Sequence, residues 1–559
     1  MEAVIRQAIS DVLKSLNLPE VDFVVEHPKE LSHGDYACNV AMVLAKQVGQ
    51  APRAVAEQLL TELEGQIEYV ETIEIAGPGF LNFHLARDFF SAELVRAVAK
   101  GDDWGKNDSW AGKKVVVEYT SPNLFKPLHI GNLVGNIIGE SITRLFEYGG
   151  AEVKRFNYPS DIGLTVAKGV WGLLKTGNDP KDITAIGDAY RIGNEAYEAG
   201  GAETEEIKII NKALYEGTDP QLTAVREQGI ATSKASLQAM LARLGTKFDH
   251  EITESVASIP GQDIVKEYIG STFIESDGAI VYPGEKVGLH TRVFLNSQGL
   301  PTYEAKDIGH FKLKHEAESD WASSIIVTGN EQREYFKVIF AVIKELWPEF
   351  SDRSLEHIPT GFLTLTTGKM SSRKGNVLTG ESLLADMVES ARERAVEARA
   401  DDISKLTDEI AVAALKYQIL RSNPGADIVF DKEKALSFEG DSGPYLQYTY
   451  ARALSVLDKA KEAGVVLQLT AMPDVPYQIE RILYRFPEVV EMALTQRAPH
   501  HVVTFLTQLA GEFNTFYAHE KIADTTDQHV PYKALLTSAV ATTLKNGLWT
   551  LGIKSPERL

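Results

Sequence analysis

The sequence predicts a multidomain protein: an α+β domain at the N-terminus, a central α/β domain on a mostly parallel sheet with an insertion, and an all-α bundle at the C-terminus. Three observations carry this expectation. The chain has 559 residues, too many for one hydrophobic core, so three or more domains are expected. Short β-branched runs alternate with helical stretches from about residue 114 onward, the pattern of a parallel sheet covered on both faces. From about residue 405 strand patterns give way to helical periodicity almost throughout.

The N-terminal domain is expected over 1–108. Its first helix shows apolar residues at Val4, Ile5, Ala8, Ile9, Val12, Leu13 and Leu16, the spacing of one helical face. An extended VDFVVEH follows, then helical patterns over Asn39–Val48 and Arg53–Leu63, then two strands (YVETIEIA and FLNFHL) around Gly77-Pro78-Gly79. The polar stretch GDDWGKNDSWAGKK reads as a linker.

The central domain is expected over 109–404. KVVVEY is a short apolar strand, followed by a loop with two prolines and a helical pattern from Ile130 to Tyr148, which opens a βαβ unit. EVKRFN, AIVYP, TRVFL and SSIIVTG are further strand candidates for the same mostly parallel sheet. Residues from about 165 to 275, rich in Glu, Ala, Lys and Gly, look like an insertion between its halves. The third domain, 405–559, holds helical patterns over Glu409–Arg421, Gly443–Ala463, Tyr477–Leu494, Val502–Tyr517 and Tyr532–Leu551.

Composition excludes several classes. Hydrophobic residues at 44% and charged residues at 24% are ordinary for a globular protein, and no run of about 18 apolar residues suits a membrane span. The N-terminal stretch has helix spacing rather than a signal-peptide core, so a cytoplasmic protein is expected. Cys38 stands alone, which rules out an intrachain disulfide and a cysteine-based zinc site within one chain. The net charge of −21 speaks against a nucleic-acid partner, because phosphate neutralisation needs clustered Lys and Arg. Its distribution softens the objection: 405–559 holds 16 Lys and Arg against 18 Asp and Glu, a balance of −2 that leaves −19 for 1–404. The C-terminal segment has room for a basic face.

Two stretches carry the chemistry. EYTSPNLFKPLHIGN, residues 118–132, lies between a strand end and a helix start, where an open α/β sheet binds ligands and a helix N-terminus offers N–H groups to phosphate. His129 supplies a donor, Lys126 a cation, and Gly131 a position with no side chain to hold off an adenine ring. For His-x-Gly alone, a capped strand-to-helix turn is the commoner reading. TTGKMSSRKGNVL, residues 366–378, places Lys369, Arg373 and Lys374 among Gly and Ser, and three cations on such a loop suit a triphosphate whose charge builds on departing pyrophosphate. A solvated basic loop is the plain alternative. The two stretches are 240 positions apart, from His129 to Lys369, and their joint occurrence in that order outweighs either alone.

HIGN and KMSSRKG resemble the two signature sequences of class I aminoacyl-tRNA synthetases. Ser121-Pro122-Asn123 followed by Lys126-Pro127-x-His129, with PTYEAKDIGH (301–310), GNEQREYF (329–336), LKYQILR (415–421) and LSFEGDSGPYLQYTYAR (436–452), is similar to the arginine enzymes of that class. HGDYACNVAMVLAK and IAGPGFLNF resemble their additional N-terminal domain, so the likeness spans the chain. It implies a Rossmann-like catalytic domain, ATP and Mg²⁺, L-arginine and tRNA(Arg) as partners, no membrane, a monomer, and a helical anticodon-binding domain. By resemblance Lys126, His129, Asn132 and Lys369 are catalytic. ATP would be held by His129, Gly131, Asn132, Lys369, Met370, Ser371 and Lys374. Arginine would be held by Glu118, Ser121, Asn123, Tyr303, Asp307 and Gln332, and tRNA met by Tyr448, Arg452 and Tyr517 among the C-terminal aromatics. The chemistry agrees independently: a guanidinium carries five N–H donors and a permanent charge, so its site needs fixed carboxylates, for which Glu118 and Asp307 are candidates.

The implied reaction is attack of arginine's carboxylate on the ATP α-phosphorus, then transfer to the terminal adenosine of tRNA, with bound tRNA needed even for the first step. The class resemblance implies the 2′-hydroxyl as the acceptor. No dedicated editing domain is expected. Two departures matter. Asn132 stands where the first signature usually ends in His, and Ser372 stands at the second lysine position of the other, for which Lys126 is thought to substitute. Two other readings remain open: a sister enzyme for cysteine or glutamate, and a synthetase-derived RNA-binding protein without catalysis.

Overall fold

Chain order and spatial grouping part company in the computed structural model, which describes residues 1–366, 379–394 and 402–559. One unit joins 1–104 with 452–487 and 508–544, and the other joins 105–451 with 488–507 and 545–559.

The N-terminal residues form α1 (Glu2–Ser15), β1 (Val25–Glu26), β2 (Tyr36–Cys38), α2 (Val40–Val48), α3 (Pro52–Leu63), β3 (Val70–Ala76), β4 (Phe80–Leu85) and α4 (Arg87–Lys100). The strands pair antiparallel in the order β1-β2-β4-β3. Ile5, Ile9 and Leu13 of the predicted apolar face are buried with Leu44, Leu59 and Phe83 in one core. Of VDFVVEH only Val25 and Glu26 pair as strand, because Val24 N–H donates to the side chain of Asn39 instead.

The central elements run β5 (Lys114–Glu118), α5 (Ile130–Tyr148), β6 (Glu152–Asn157), α6 (Leu164–Thr176), α7 (Ile183–Ala199), α8 (Ala202–Glu216), α9 (Pro220–Leu244), β7 (His250–Glu251), α10 (Glu254–Glu267), β8 (Ile274–Ser276), β9 (Ala279–Tyr282), β10 (Arg292–Leu295), α11 (Tyr303–Ala317), β11 (Trp321–Gly329), α12 (Arg333–Leu346), β12 (Ser354–Thr360), β13 (Leu363–Leu365) and α13 (Gly380–Arg394). The main sheet is parallel, ordered β12-β11-β5-β6-β7. Strand order reverses between β5 and β11, and the crevice outside their carboxyl ends is the natural ligand site of such a sheet.

Two predicted members of that sheet are not in it. AIVYP and TRVFL become β9 and β10, which pair antiparallel with β8 in a separate sheet. Residues 283–291 between them are too few for the crossover that parallel pairing requires. Conversely β12, whose Glu356, His357 and Pro359 obscure a strand pattern, forms an edge of the main sheet, where a proline is tolerated.

The remaining elements are α14 (Ile403–Leu420), β14 (Ile428–Phe430), α15 (Lys432–Ala435), α16 (Gly443–Glu462), α17 (Gln478–Leu483), α18 (Phe486–Gln496), α19 (His500–His519) and α20 (Val530–Thr550). This region is helical as expected except for β14, which pairs parallel with β13. The helix expected over Tyr477–Leu494 is broken between α17 and α18, where Pro487, lacking an N–H, sits in the first turn of the second piece. In the first unit Arg87 of α4 donates to Glu480 Oε2 at 2.9 Å and to the Tyr532 hydroxyl at 2.7 Å. Arg481 pairs with buried Asp35 at 3.1 Å. N-terminal and C-terminal residues of this unit are therefore tied by polar contacts that their linear separation hides. No helix among the described residues is long and apolar enough to cross a membrane.

Candidate active site

Helix α11 lies against the carboxyl end of β5, where His310 and Lys314 bond Glu118, and its sequence explains how. Tyr303, Asp307, His310 and Lys314 are spaced by four, three and four residues, one stripe of the helix. Its position is set by close approach to α10: a Cβ on Gly309 would stand 2.0 Å from the Ala257 carbonyl oxygen, and one on Gly261 would stand 2.0 Å from that of Ala305. Only glycine permits that spacing.

Glu118 ends β5 and is 4% exposed. Its Oε2 accepts from Lys314 Nζ at 2.6 Å and His310 Nε2 at 3.1 Å. Burial would raise its pKa, but the charge and hydrogen bonds of Lys314 and His310 outweigh burial and hold the carboxyl down at about 2. Asp307 has the opposite fate. Removal from water pushes it up to about 8, and Glu118 and Glu254 add to that, while the Tyr335 hydroxyl donating at 2.5 Å opposes it. The crevice thus holds one permanently ionised carboxylate with its own cation and one carboxyl short of a cation.

Lys306, on the same helix, pairs with Glu254 at 2.7 Å, both buried. Its ammonium lies 5.1 Å from the Tyr303 ring and 5.6 Å from the Tyr215 ring. Tyr303 itself is 60% exposed. Gln332 closes the turn between β11 and α12, at the other side of the switch point.

The loop between β5 and α5 is strained. Thr120, Ser121 and Phe125 all have positive φ, at 77°, 40° and 66°, a conformation that costs a non-glycine residue about 1–3 kcal/mol. Hydrogen bonds hold it there. Asn132 Nδ2 donates to the Thr120 carbonyl at 2.8 Å and the Ser121 carbonyl at 3.4 Å. Asn136 donates to Thr120 Oγ1 at 2.9 Å, and Leu124 N–H donates to the Ser160 carbonyl at 2.9 Å. Asn123 bridges to Ser160 as an isolated parallel pair.

His129 is the N-cap of α5, and its Nδ1 accepts from Gly131 N–H at 3.1 Å. That bond fixes the tautomer: Nδ1 is the acceptor, so the proton sits on Nε2, free to donate outward. Partial burial and then the Lys126 charge lower the His129 pKa, favouring this neutral form. Burial also lowers the pKa of Lys126, whose ammonium stands 5.7 Å from the Tyr190 ring. Lys369, Met370, Ser371 and Lys374 lie outside the described residues. The chain just beyond them returns to the first stretch: Thr379 bridges to His129, Gly380 N–H donates to the Leu128 carbonyl at 2.8 Å, and Glu381 accepts from Leu128 N–H at 3.3 Å.

On the C-terminal helices, Arg452 bonds Asn514 and stacks its guanidinium 5.4 Å from the Tyr517 ring. Tyr517 is 40% exposed. Tyr448, 37% exposed, meets Phe438 edge-on at 6.2 Å.

Sequence reasoning missed His310, Lys314, Tyr158, Tyr335 and the Lys306–Glu254 pair. The signal for His310 and Lys314 was their helical spacing from Asp307. Nothing local to Tyr158 or Glu254 announced them.

Family models place this architecture. Residues 94–432 match the model for tRNA synthetases class I (R), catalytic domain, so the chain belongs to the class I tRNA synthetases. Residues 2–85 match the arginyl tRNA synthetase N-terminal domain and 446–559 the DALR anticodon binding domain. Curated arginine–tRNA ligases from Oenococcus oeni and Levilactobacillus brevis are 29% and 30% identical, each match covering 100% of this chain and 99% of the relative. The solved Thermus thermophilus arginyl-tRNA synthetase superposes with a TM-score of 0.81 at 25% identity over 100% of both chains. The chain belongs to the arginyl-tRNA synthetase family and is an arginine–tRNA ligase, with ATP as a substrate of its class.

Proposed function

We propose that the crevice between β5 and β11 binds arginine through Asp307 and Glu118 and binds ATP at the α5 N-terminus, so that the amino-acid carboxylate attacks the α-phosphorus. The observation that carries this reading is Asp307, a carboxyl with no paired cation that lies within reach of the Glu118 charge, one helical turn from Tyr303. A guanidinium supplies the missing charge. Ser121 and Asn123, which follow β5, and Gln332, which follows β11, would line the same crevice and orient the α-amino and carboxylate groups.

At the nucleotide end, His129 Nε2–H, Lys126 and the positive end of the α5 dipole would meet the phosphates. Gly131 would let the adenine approach, and Lys369, Met370, Ser371 and Lys374 would contact the triphosphate. No covalent intermediate with the protein is required. Positioning and electrostatic stabilisation supply the rate. Asn132, whose amide is engaged with two loop carbonyls, acts by fixing the strained loop rather than as a phosphate ligand. Mg²⁺ would arrive with ATP, since a nucleotide-borne Mg²⁺ needs at most one or two carboxylates from the protein.

Adenylate transfer to the terminal adenosine 2′-hydroxyl follows, and tRNA(Arg) would contact Tyr448, Arg452 and Tyr517 by stacking and polar bonds. The protein would act as a cytoplasmic monomer with the domain bounds 1–108, 109–404 and 405–559. The test is charging of purified tRNA(Arg) with labelled arginine, alongside arginine-dependent ATP–pyrophosphate exchange with and without tRNA. Charging that disappears in Asp307→Ala, and exchange that needs tRNA, support the reading. Wild-type charging that survives Asp307→Ala undiminished overturns it.

A further inference from the structure

Three polar atoms at the arginine crevice are buried with no hydrogen-bond partner among the described residues: the Tyr158 hydroxyl, His310 Nδ1 and Ser121 Oγ. A buried hydroxyl left unpaired loses stability, so a fold that retains one is serving a ligand or an ordered water. Tyr158 is the most telling of the three. It directly follows β6, the strand beside β5, and is 8% exposed. Its ring lies flat on His310, with centroids 3.8 Å apart and planes 7° from parallel. Phenylalanine would stack equally well, so packing does not account for the oxygen.

The surroundings say what that oxygen would meet. Asp307, Glu254, Glu118 and the Tyr215 hydroxyl are the groups that act on Tyr158 electrostatically. The carboxylates in this set are already partly used. Glu118 Oε2 takes both Lys314 and His310, Asp307 Oδ2 takes Tyr335, and Glu254 Oε2 takes Lys306. A guanidinium brings five N–H donors in a rigid plane, more than Glu118 Oε1 and Asp307 Oδ1 can satisfy. A neutral oxygen near both carboxylates supplies a further acceptor.

We infer that the Tyr158 hydroxyl is a substrate-contacting, specificity-determining group that accepts an N–H of the arginine guanidinium while donating its own proton toward the neighbouring carboxylates. The stacked His310 holds the ring in place and, with Lys314, holds Glu118, so both act as positioning residues. The inference rests on the reading that Glu118 and Asp307 bind the guanidinium. It adds a third acceptor, and with it a reason why a shorter or less substituted cation such as lysine is rejected: it leaves Tyr158 and one carboxylate oxygen unpaired.

The test is Tyr158→Phe in the full-length enzyme, charging tRNA(Arg), with Asp307→Asn as the control for the underlying reading. The removed oxygen bonds no described protein group, so the melting temperature should stay at or above the wild-type value. KM for arginine should rise about tenfold or more, with kcat, KM for ATP and KM for tRNA little changed, and the preference for arginine over lysine should fall in parallel. If Asp307→Asn raises KM for arginine and Tyr158→Phe does not, the hydroxyl holds only a water and the inference is overturned while the pocket stands. A loss of melting temperature with all kinetic constants unmoved also overturns it. A parallel rise in KM for arginine and ATP overturns it too, because the crevice rather than one contact has then changed. Wild-type KM for arginine in Asp307→Asn removes the reading beneath it.

Discussion

Arginine binding should expel a proton from Asp307. The free carboxyl sits at about 8 instead of its ordinary 3.8, because burial and the nearby Glu118 and Glu254 disfavour the anion more than the Tyr335 hydrogen bond favours it. An anion so displaced is destabilised by on the order of 6 kcal/mol relative to one in water. A guanidinium, charged at every working pH, reverses this by pairing with the anion, so the bound-state pKa falls and the proton leaves. At pH 7 about nine-tenths of the free sites are protonated, so each binding event should release about 0.9 proton. The arginine Kd should fall about ninefold from pH 6 to pH 7 and about fivefold from pH 7 to pH 8, then level off. Titration calorimetry in two buffers of different ionisation enthalpy at pH 7 measures the proton directly. Identical heats in both, together with a flat profile from pH 6 to pH 8, would refute the reasoning. Asp307→Asn should lose both affinity and pH slope. The same displacement has a folding consequence: the group favours the fold below 3.8, and that contribution is lost as pH rises through about 8.

Other expectations follow from single contacts. Lys314→Met leaves Glu118 buried without its cation and should cost about 3–5 kcal/mol in urea unfolding at pH 7. Because Glu118 is held at about 2 against an ordinary 4.5, its contribution is present above 4.5 and lost as pH falls through about 2, so the acid limb of the stability curve should move to higher pH in that variant. Gly309→Ala forces a Cβ against the Ala257 carbonyl and should lower stability by about 1–3 kcal/mol while raising KM for arginine through the displaced α11. Asn132→Ala frees the Thr120 and Ser121 carbonyls and should cost about 1–3 kcal/mol, read as a lower melting temperature with a reduced kcat. Arg87→Ala removes the cation paired with buried Glu480 in the first unit, leaving it the Tyr532 hydroxyl and the Tyr477 N–H, and should destabilise that unit by about 3–5 kcal/mol without changing KM for arginine.

The sequence by itself determined what short-range chemistry can write. Strand, loop and helix at Lys114–Tyr148 were legible because a β-branched run, a proline-bearing loop and an amphipathic helix follow one another directly. Glu118, His129 and Asp307 were legible as chemistry-bearing residues because each sits inside a motif with fixed spacing. The chain also declared its helical C-terminal region through periodicity, missing only the break at Phe486-Pro487 and the short β14, whose partner β13 lies far upstream. Tertiary structure alone decided what depends on distant residues meeting. AIVYP and TRVFL looked like members of the main sheet, and only pairing showed them in another. Glu118 and Asp307 are both acids at one crevice, yet they stand at about 2 and about 8. The difference lies in Lys314 and His310 arriving beside one of them from nearly 200 positions away. A carboxyl's charge state is set by the dielectric and the charges around it, neither of which is a property of its own neighbourhood in the chain.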